Sequence, residues 1–130
     1  MTDPERDPSA ASVFRSCGSC GRRWTTPHEF LHDAGLALVG LQVAEHRPES
    51  NLIVFEHACG SSVSVLTARL RPLAPDTAAG ADLPDRYGTE ECRRLCRQVD
   101  EWSACDRPCV NARDRRLLQA VIALKAGSGS

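Results

Sequence analysis

The chain lacks several of the features by which common classes of protein are recognised from sequence. None of its apolar runs approaches the roughly 18 consecutive residues that a membrane helix needs. Acidic residues stand at positions 3, 5 and 7, where a secretory signal has a basic start and an apolar run. Aromatic residues are few, with two tryptophans, one tyrosine and three phenylalanines among 130 residues. We therefore expect a cytoplasmic protein, with no membrane association, that has one modest core or two small metal-stapled lobes.

The motifs of several enzyme classes are absent as well. There is no P-loop, no GxSxG elbow, no dinucleotide-binding fingerprint and no zinc-deaminase motif pair. One catalytic interpretation is left, an open site with three cysteines on zinc and Glu56 as the acid–base group. The sequence favours a protein that is not an enzyme.

Neither sign of charge dominates the sequence. Sixteen lysine and arginine residues face seventeen acidic ones, so the formal net charge is −1. A protein without a global positive field needs a local basic patch to bind nucleic acid. Arg113, Arg115 and Arg116, at the head of the last predicted helix, are the candidates for such a patch.

Cysteine is the residue type that the chain has in abundance, with seven copies. Structural disulfides are disfavoured in the cytosol, so gathered thiols indicate metal binding first and regulated redox chemistry second. The cysteines form two groups. The upstream group is Cys17, Cys20 and Cys59, and the downstream group, spaced C-x3-C-x8-C-x3-C, is Cys92, Cys96, Cys105 and Cys109.

The upstream group is typical of a metal-binding knuckle. In Cys17-Gly-Ser-Cys20-Gly the glycines let the backbone bend, so that both sulfurs converge on one point. This turn resembles one knuckle of a zinc ribbon, and His57-Ala-Cys59-Gly stands where the second knuckle would lie, although zinc ribbons usually have C-x2-C there. The resemblance implies a zinc site across a small antiparallel sheet. The fourth ligand is one of three histidines: His57, His28 or His32. Nearness to Cys59 favours His57.

The downstream group predicts a second site. Residues i and i+4 of a helix share one face, so Cys92 and Cys96 would present their sulfurs in one direction. Cys105 and Cys109 would do the same on a following helix. Four thiolates brought together by an antiparallel hairpin suit tetrahedral zinc or an iron–sulfur cluster. The alternatives are a disulfide, a thiol switch or inert core cysteines.

The doubled C-x3-C also resembles the small chaperones of the mitochondrial intermembrane space, which are disulfide-stapled helical hairpins. The resemblance covers about residues 89–112 and departs in its short x8 spacing. It implies that the outer cysteines pair, Cys92 with Cys109. It implies the same for the inner ones, Cys96 with Cys105.

The remaining patterns predict an α+β fold. Thr26-Pro-His-Glu29 is a capping box that begins a short helix ending near Asp33. Three later segments are typical of strands in an antiparallel three-stranded sheet: residues 36–43, 52–55 and 62–66. Helices over about 89–102 and 106–127 would form an α-helical hairpin after the sheet.

Composition divides the chain into four parts. We predict a disordered tail (1–13), a zinc-ribbon-like β lobe (14–70), a linker (71–88) and a cysteine-clasped helical hairpin (89–127). The last helix has an apolar face formed by Leu117, Leu118, Val121, Ile122 and Leu124. This face is larger than a short hairpin can cover, so part of it should dock on the β lobe or on another chain.

These patterns together favour a small metal-binding module. We expect two zinc sites, with an iron–sulfur cluster as the alternative at the second. The ligands of the first site would be Cys17, Cys20, His57 and Cys59. Those of the second would be Cys92, Cys96, Cys105 and Cys109. Trp24 and Trp102 should pack over the sulfur sites. The leading hypothesis is an interaction or regulatory module, similar in general look to small bacterial accessory proteins, that binds a protein partner or forms a homodimer. A thiol-based redox or metal sensor and a nucleic-acid-binding zinc protein are the alternatives.

Overall fold

The structure, a computed structural model, describes residues 13–90, 92 and 94–128. The predicted tail over residues 1–13 lies, apart from Val13, outside the described residues. None of the helices in the described part of the chain is long and apolar enough to cross a membrane.

The fold is α+β, as predicted, and is built on a three-stranded antiparallel sheet. The strands are β1 (Arg15–Ser16), β2 (Arg23–Trp24), β3 (Leu36–Gln42), β4 (Leu52–His57) and β5 (Ser62–Leu66). The sheet has the strand order β3–β4–β5, and a two-stranded hairpin of β1 and β2 precedes it. The helices are α1 (Pro27–His32), α2 (Thr67–Leu70) and α3 (Val110–Ser128). The three predicted strands of the meander are confirmed, whereas the short hairpin was not predicted from the sequence.

Helix α1 begins where its capping residues indicate. The Thr26 hydroxyl accepts a hydrogen bond from the Glu29 backbone N–H at 3.0 Å. Glu29 reaches back to the backbone N–H and the hydroxyl of Thr25, at 2.7 and 2.6 Å. These contacts satisfy donors that the first turn of a helix leaves unpaired. The helix buries Phe30 and Leu31.

Four of the six aromatic residues are concentrated in one place. Phe30 makes edge-to-face contacts with Phe14, Trp24 and Phe55, at ring-centroid distances of 5.5, 5.1 and 4.9 Å. All four rings are buried. Contacts of this geometry add about 0.5–1.5 kcal/mol each beyond the burial of their area. They tie the β1–β2 hairpin and α1 to the sheet.

Helix α3 packs on this same core. Leu117, Leu118 and Val121 are buried in one cluster with the residues of the sheet and of α1, and Ile122 and Leu124 pack against it. The apolar face of the helix is therefore covered by the β lobe of its own chain.

The predicted helical hairpin is not formed in the described residues. Between α2 and α3 they hold only short 3-10 turns, at Arg71–Leu73, Pro75–Ala78 and Leu95–Arg97. Leu95, Val99 and Trp102 do stand at helical spacing, but the Val99 carbonyl accepts the Leu41 backbone N–H of β3 in place of an intrahelical hydrogen bond. Arg94, with φ +66°, also leaves the helical conformation. The last helix begins at Val110, after Pro108, and not at Asp106.

The segment that carries the downstream cysteines lies instead along the edge of the sheet. We call residues 92–109, of which Arg93 is outside the described residues, the cysteine strap. The Val99 carbonyl accepts the Leu41 backbone N–H at 3.0 Å. The Trp102 indole donates to the Val39 carbonyl at 2.7 Å. The strap thus pairs with polar groups that edge strand β3 would otherwise leave open.

A buried polar network fixes α3 to the sheet side of the molecule. Asp114 is fully buried. It accepts a hydrogen bond from the Asn51 amide at 2.7 Å and pairs with the Arg71 guanidinium. The Asn51 amide also donates to Asn111 at 2.9 Å. Each polar group needs the others as hydrogen-bond or charge partners, because an unpaired buried charge is unfavourable.

Replacing Asp114 tests this network. We expect Asp114→Ala to lower the free energy of unfolding by about 3–5 kcal/mol, because it leaves the Arg71 charge without its buried partner. Asp114→Asn keeps an acceptor and should cost less. Urea titration followed by circular dichroism measures both variants, with the exposed Asp82→Ala as the control. Equal stability of Asp114→Ala and the control would contradict the role of the network.

Gly40 provides a second test, of the strap. A Cβ at this position would lie 1.6 Å from the Val99 carbonyl oxygen. Gly40→Ala should therefore push the strap off β3 and destabilise the protein by about 1–3 kcal/mol, as overpacking does. Gly88→Ala is the matched control, because Gly88 also has a positive φ but its Cβ would meet nothing within 4 Å. Hydrogen exchange at Leu41 reports the displacement, and unchanged protection in Gly40→Ala would show that the strap contact is wrong.

Candidate metal centre

The first half of the centre is the tight turn that joins β1 to β2. The Cys17 backbone N–H donates to the Arg22 carbonyl at 2.8 Å, and the Gly21 N–H donates to the Cys17 carbonyl at 3.0 Å. Gly21 has a φ of +80°, a conformation that favours glycine. The turn brings Cys17 and Cys20 to the same side of the backbone.

The second half is the turn between β4 and β5. His57 is the last residue of β4, and its backbone N–H donates to the Ser61 carbonyl at 2.8 Å. The Gly60 N–H in turn donates to the His57 carbonyl at 2.8 Å. Cys59 lies at the tip of this turn, so the end of the strand places one imidazole and one thiol together.

The two turns meet at one point. The Cys17 and Cys59 sulfurs are 3.6 Å apart. His57 Nδ1 lies 3.2 Å from the Cys59 sulfur and 3.6 Å from the Cys20 sulfur. All four ligand atoms lie within 4.8 Å of one another. A tetrahedral ion with Zn–S bonds near 2.3 Å has sulfur–sulfur edges of about 3.8 Å. The group can therefore hold a metal ion.

The geometry selects His57 as the fourth ligand among the three candidate histidines. His28 and His32 lie on α1 and face each other, with ring centroids 5.9 Å apart. Neither belongs to the group of converging ligands. The predicted upstream set of Cys17, Cys20, His57 and Cys59 is thus brought together in full.

Hydrogen bonds in the centre favour thiolate. The Ser61 hydroxyl lies 3.2 Å from the Cys17 sulfur and 3.0 Å from the Cys59 sulfur. The hydroxyl and two backbone N–H groups lower the pKa of Cys17 to about 5. The Ser61 hydroxyl and backbone also lower the pKa of Cys59, whereas the Cys59 sulfur raises the pKa of His57. A thiolate is the form that binds metal.

The thiol of Cys20 behaves differently. The Arg22 backbone N–H lowers its pKa, but burial and the neighbouring sulfurs of Cys17 and Cys59 outweigh that effect and raise it. Several negative sulfurs this close repel one another, and a cation between them removes the repulsion. The arrangement is therefore one that a metal ion would stabilise.

Ser61 is a functional residue that the sequence analysis missed. The only sequence feature that could have indicated this role is its position, two residues after Cys59 and directly before β5. That position places it between both upstream turns. Serine is common in such turns without any ligand nearby, so the residue type alone did not single it out.

The prediction that tryptophan packs beside the sulfur sites is confirmed for Trp24. Its buried ring lies 5.3 Å from the His57 ring, nearly perpendicular to it. The indole N–H donates to Asp33 at 2.7 Å, which fixes the ring. Trp102 instead lies against β3, where its indole bonds to Val39.

The downstream cysteines are arranged differently. All four line one cleft, together with arginines and a tyrosine. Within the described part of the chain, however, they do not form a group close enough to hold a single metal ion, as the upstream set does. They are free thiols in the structure. The predicted hairpin geometry for them is wrong because the first of its two helices is not formed.

Three of the downstream thiols have distinct polar neighbours. The Cys109 sulfur accepts the Arg86 backbone N–H at 3.2 Å, and the Cys92 sulfur accepts the Arg94 N–H at the same distance. The Cys96 sulfur lies 3.8 Å from the Arg115 guanidinium. Burial raises the pKa of Cys96 to about 11, despite that arginine.

The three arginines predicted to form a basic patch do not form an exposed positive surface. Arg115 is fully buried, and its guanidinium donates to the Ser103 carbonyl at 2.6 Å and to the Glu101 carbonyl. Arg116 donates to the Ala79 carbonyl, and Arg113 lies 3.6 Å from Asp114. Arg115 and Arg116 hold the strap and a preceding turn against α3, and Arg113 pairs within the helix, so the arginines expected to bind nucleic acid are engaged within the chain.

Comparisons with protein-family models, with curated proteins and with solved structures found no match to this chain.

Removing the imidazole tests the ligand set. Loss of a residue that only orients a ligand lowers metal affinity by roughly 10- to 100-fold. His57→Ala removes a ligand itself, so we expect it to lower the zinc affinity by more than that. Competition with a chromophoric chelator measures the affinity. His32→Ala, an exposed histidine outside the group, should bind zinc as the unchanged protein does. Equal affinities of the two variants would place the fourth ligand elsewhere.

Proposed function

We propose that the chain is a zinc-stabilised interaction or regulatory module whose β lobe is held in its folded form by one ion. The observation that carries the proposal is the convergence of the four ligand atoms of Cys17, Cys20, His57 and Cys59. Three thiolates and one imidazole are a ligand set typical of zinc, which needs no redox chemistry and accepts tetrahedral geometry.

The number of protein ligands supports a structural role over a catalytic one. A catalytic zinc keeps a position open for water or substrate, and structural zinc has four protein ligands. Here four side chains surround one point, and Glu56, the acid–base candidate, is exposed on β4 outside the ligand group. We infer that the protein is not a zinc hydrolase.

The position of the centre explains why the ion would matter for folding. It joins the β1–β2 hairpin to the β4–β5 turn, segments about 40 residues apart in the chain. The β1–β2 hairpin, with two residues in each strand, is marginally stable at best by itself. Structural zinc contributes roughly 10 kcal/mol or more of binding energy that is coupled to folding.

The partner is proposed to be a protein. The helix face that would have suggested a homodimer is covered by the β lobe. Large apolar side chains that remain exposed are Leu66, Leu83 and Trp102. Nucleic acid is disfavoured because Arg115 is buried and its neighbours are engaged within the chain.

Chelation and cobalt substitution together test the structural role. Chelation should unfold β3–β5, seen as loss of hydrogen-exchange protection in those strands, because the ion supplies much of the stability of the lobe. Cobalt in place of zinc should give a tetrahedral visible spectrum that added cyanide does not change, since the four side chains leave no open position.

The matched control is His32→Ala, which should respond to chelation as the unchanged protein does. A cobalt spectrum that shifts with cyanide would indicate an open position and favour catalysis. Full protection of the strands after complete removal of the metal would contradict metal-coupled folding.

A further inference from the structure

The cleft beneath the cysteine strap is the feature that the zinc proposal leaves unexplained. Cys92, Cys96, Cys105 and Cys109 are all the cysteines outside the first centre, and each of them lines this one cleft. They span 18 positions of the chain without a common helix or strand to bring them together. Four soft ligands that gather around one cavity indicate a bound inorganic group.

The two cysteine groups differ in the spacing of their sulfurs. The upstream ligand atoms close on one point, within 4.8 Å of one another. Among the described residues the downstream sulfurs form no such group and instead line one shared cleft. A single ion draws its ligands to tetrahedral edges of about 3.8 Å, whereas a cubic cluster holds one cysteine at each iron and keeps the sulfurs farther apart.

We propose that these four cysteines bind a [4Fe–4S] cluster. Each thiol releases its proton to solvent and donates a sulfur lone pair to one iron, so that four S–Fe bonds form. Iron and sulfide are supplied as an assembled cluster by a donor. The donor's own bonds to the four irons break as these four bonds form, and its released ligands take up protons from solvent. No electron is transferred to or from the protein in this step. The cluster is separate from the zinc ion of the first centre.

The charges around the cleft suit such a group. A cluster with four thiolate ligands carries net negative charge. The cleft is lined by Arg86, Arg94 and Arg107, which offset that charge. The buried Arg115 adds a fourth guanidinium, 3.8 Å from the Cys96 sulfur. A purely apolar thiol cluster would have no need of this concentration of positive charge.

Hydrogen bonds to sulfur give a second, independent indication. The sulfurs of Cys109 and Cys92 each accept a backbone N–H at 3.2 Å, from Arg86 and Arg94. Arg94 adopts a left-handed conformation, with φ +66°, which directs its N–H to the Cys92 sulfur. Hydrogen bonds to the ligand sulfurs are among the levers by which proteins set the properties of such clusters.

Binding at this site would also secure the strap. The described residues of the strap hold one 3-10 turn, Leu95–Arg97, so little regular backbone pairing maintains their shape. The same segment supplies the Val99 carbonyl to β3. A cluster that joins the start and the end of the strap would therefore keep the edge of the sheet covered.

The test begins with the unchanged protein, produced in cells and purified without oxygen. We expect brown protein with about four iron and four acid-labile sulfide per chain, and one zinc. Reduction with dithionite should produce the electron paramagnetic resonance signal of a reduced cluster. This measurement needs no variant, so it does not depend on how a variant folds.

Variants then locate the cluster. Cys96→Ser and Cys105→Ser should lose iron, sulfide and colour, keep one zinc, and show faster hydrogen exchange at Leu41. The matched control is Ala104→Ser, which introduces a serine at an exposed position of the same strap without removing a thiol. This control should keep all the iron.

Two results would overturn the proposal. Two zinc ions per chain with no iron would show that the strap closes on a second zinc. No metal at the strap, with two disulfides counted by thiol titration and mass, would show a disulfide-linked strap. The first zinc is counted separately in every sample, so a result against the cluster does not bear on the first centre. If the zinc proposal were wrong, the protein would contain iron but no zinc.

Discussion

The meeting of two distant turns at one point is the constraint on which the β lobe depends. The sulfurs of Cys17 and Cys59 are 42 residues apart in sequence and 3.6 Å apart in space. Closing such a loop costs conformational entropy, and crowding thiolates adds electrostatic repulsion. The aromatic contacts of Phe30 offset part of the first cost. A cation held between the sulfurs would remove the second cost.

Helix α3 completes a core that the sheet and α1 cannot close alone. Its leucines supply apolar area, and its polar residues decide where the helix sits. Asp114 accepts hydrogen bonds from Asn51 and from Arg71, which come from the loop before β4 and from the turn after α2. Apolar packing alone tolerates sliding and rotation, whereas a buried charge accepts only the register in which its partners meet it. The network therefore sets the orientation of the helix that forms the floor beneath the strap.

The cysteine strap connects these two parts. On one side it bonds to edge strand β3 through Val99 and Trp102. On the other side the buried Arg115 of α3 holds its carbonyl groups. The strap has little secondary structure, so its position depends on these contacts. This dependence makes it the part of the molecule most suited to respond to a bound inorganic group.

The sequence by itself determined the α+β class, the three strands, the cap of the first helix and the upstream ligand set, because these follow from local patterns: alternation, turn residues and knuckle spacing. It did not determine the role of Ser61, the burial of Arg115 or the path of the strap. C-x3-C spacing places two thiols on one helix face, but Val99 and Trp102 of the strap bond to edge strand β3, so the described residues of the strap do not form that helix. Likewise the arginine cluster predicted an exposed patch, but Arg115 and Arg116 donate hydrogen bonds to carbonyl groups of other segments. Tertiary structure decided these points because their partners lie far away in the sequence, where no local pattern records them.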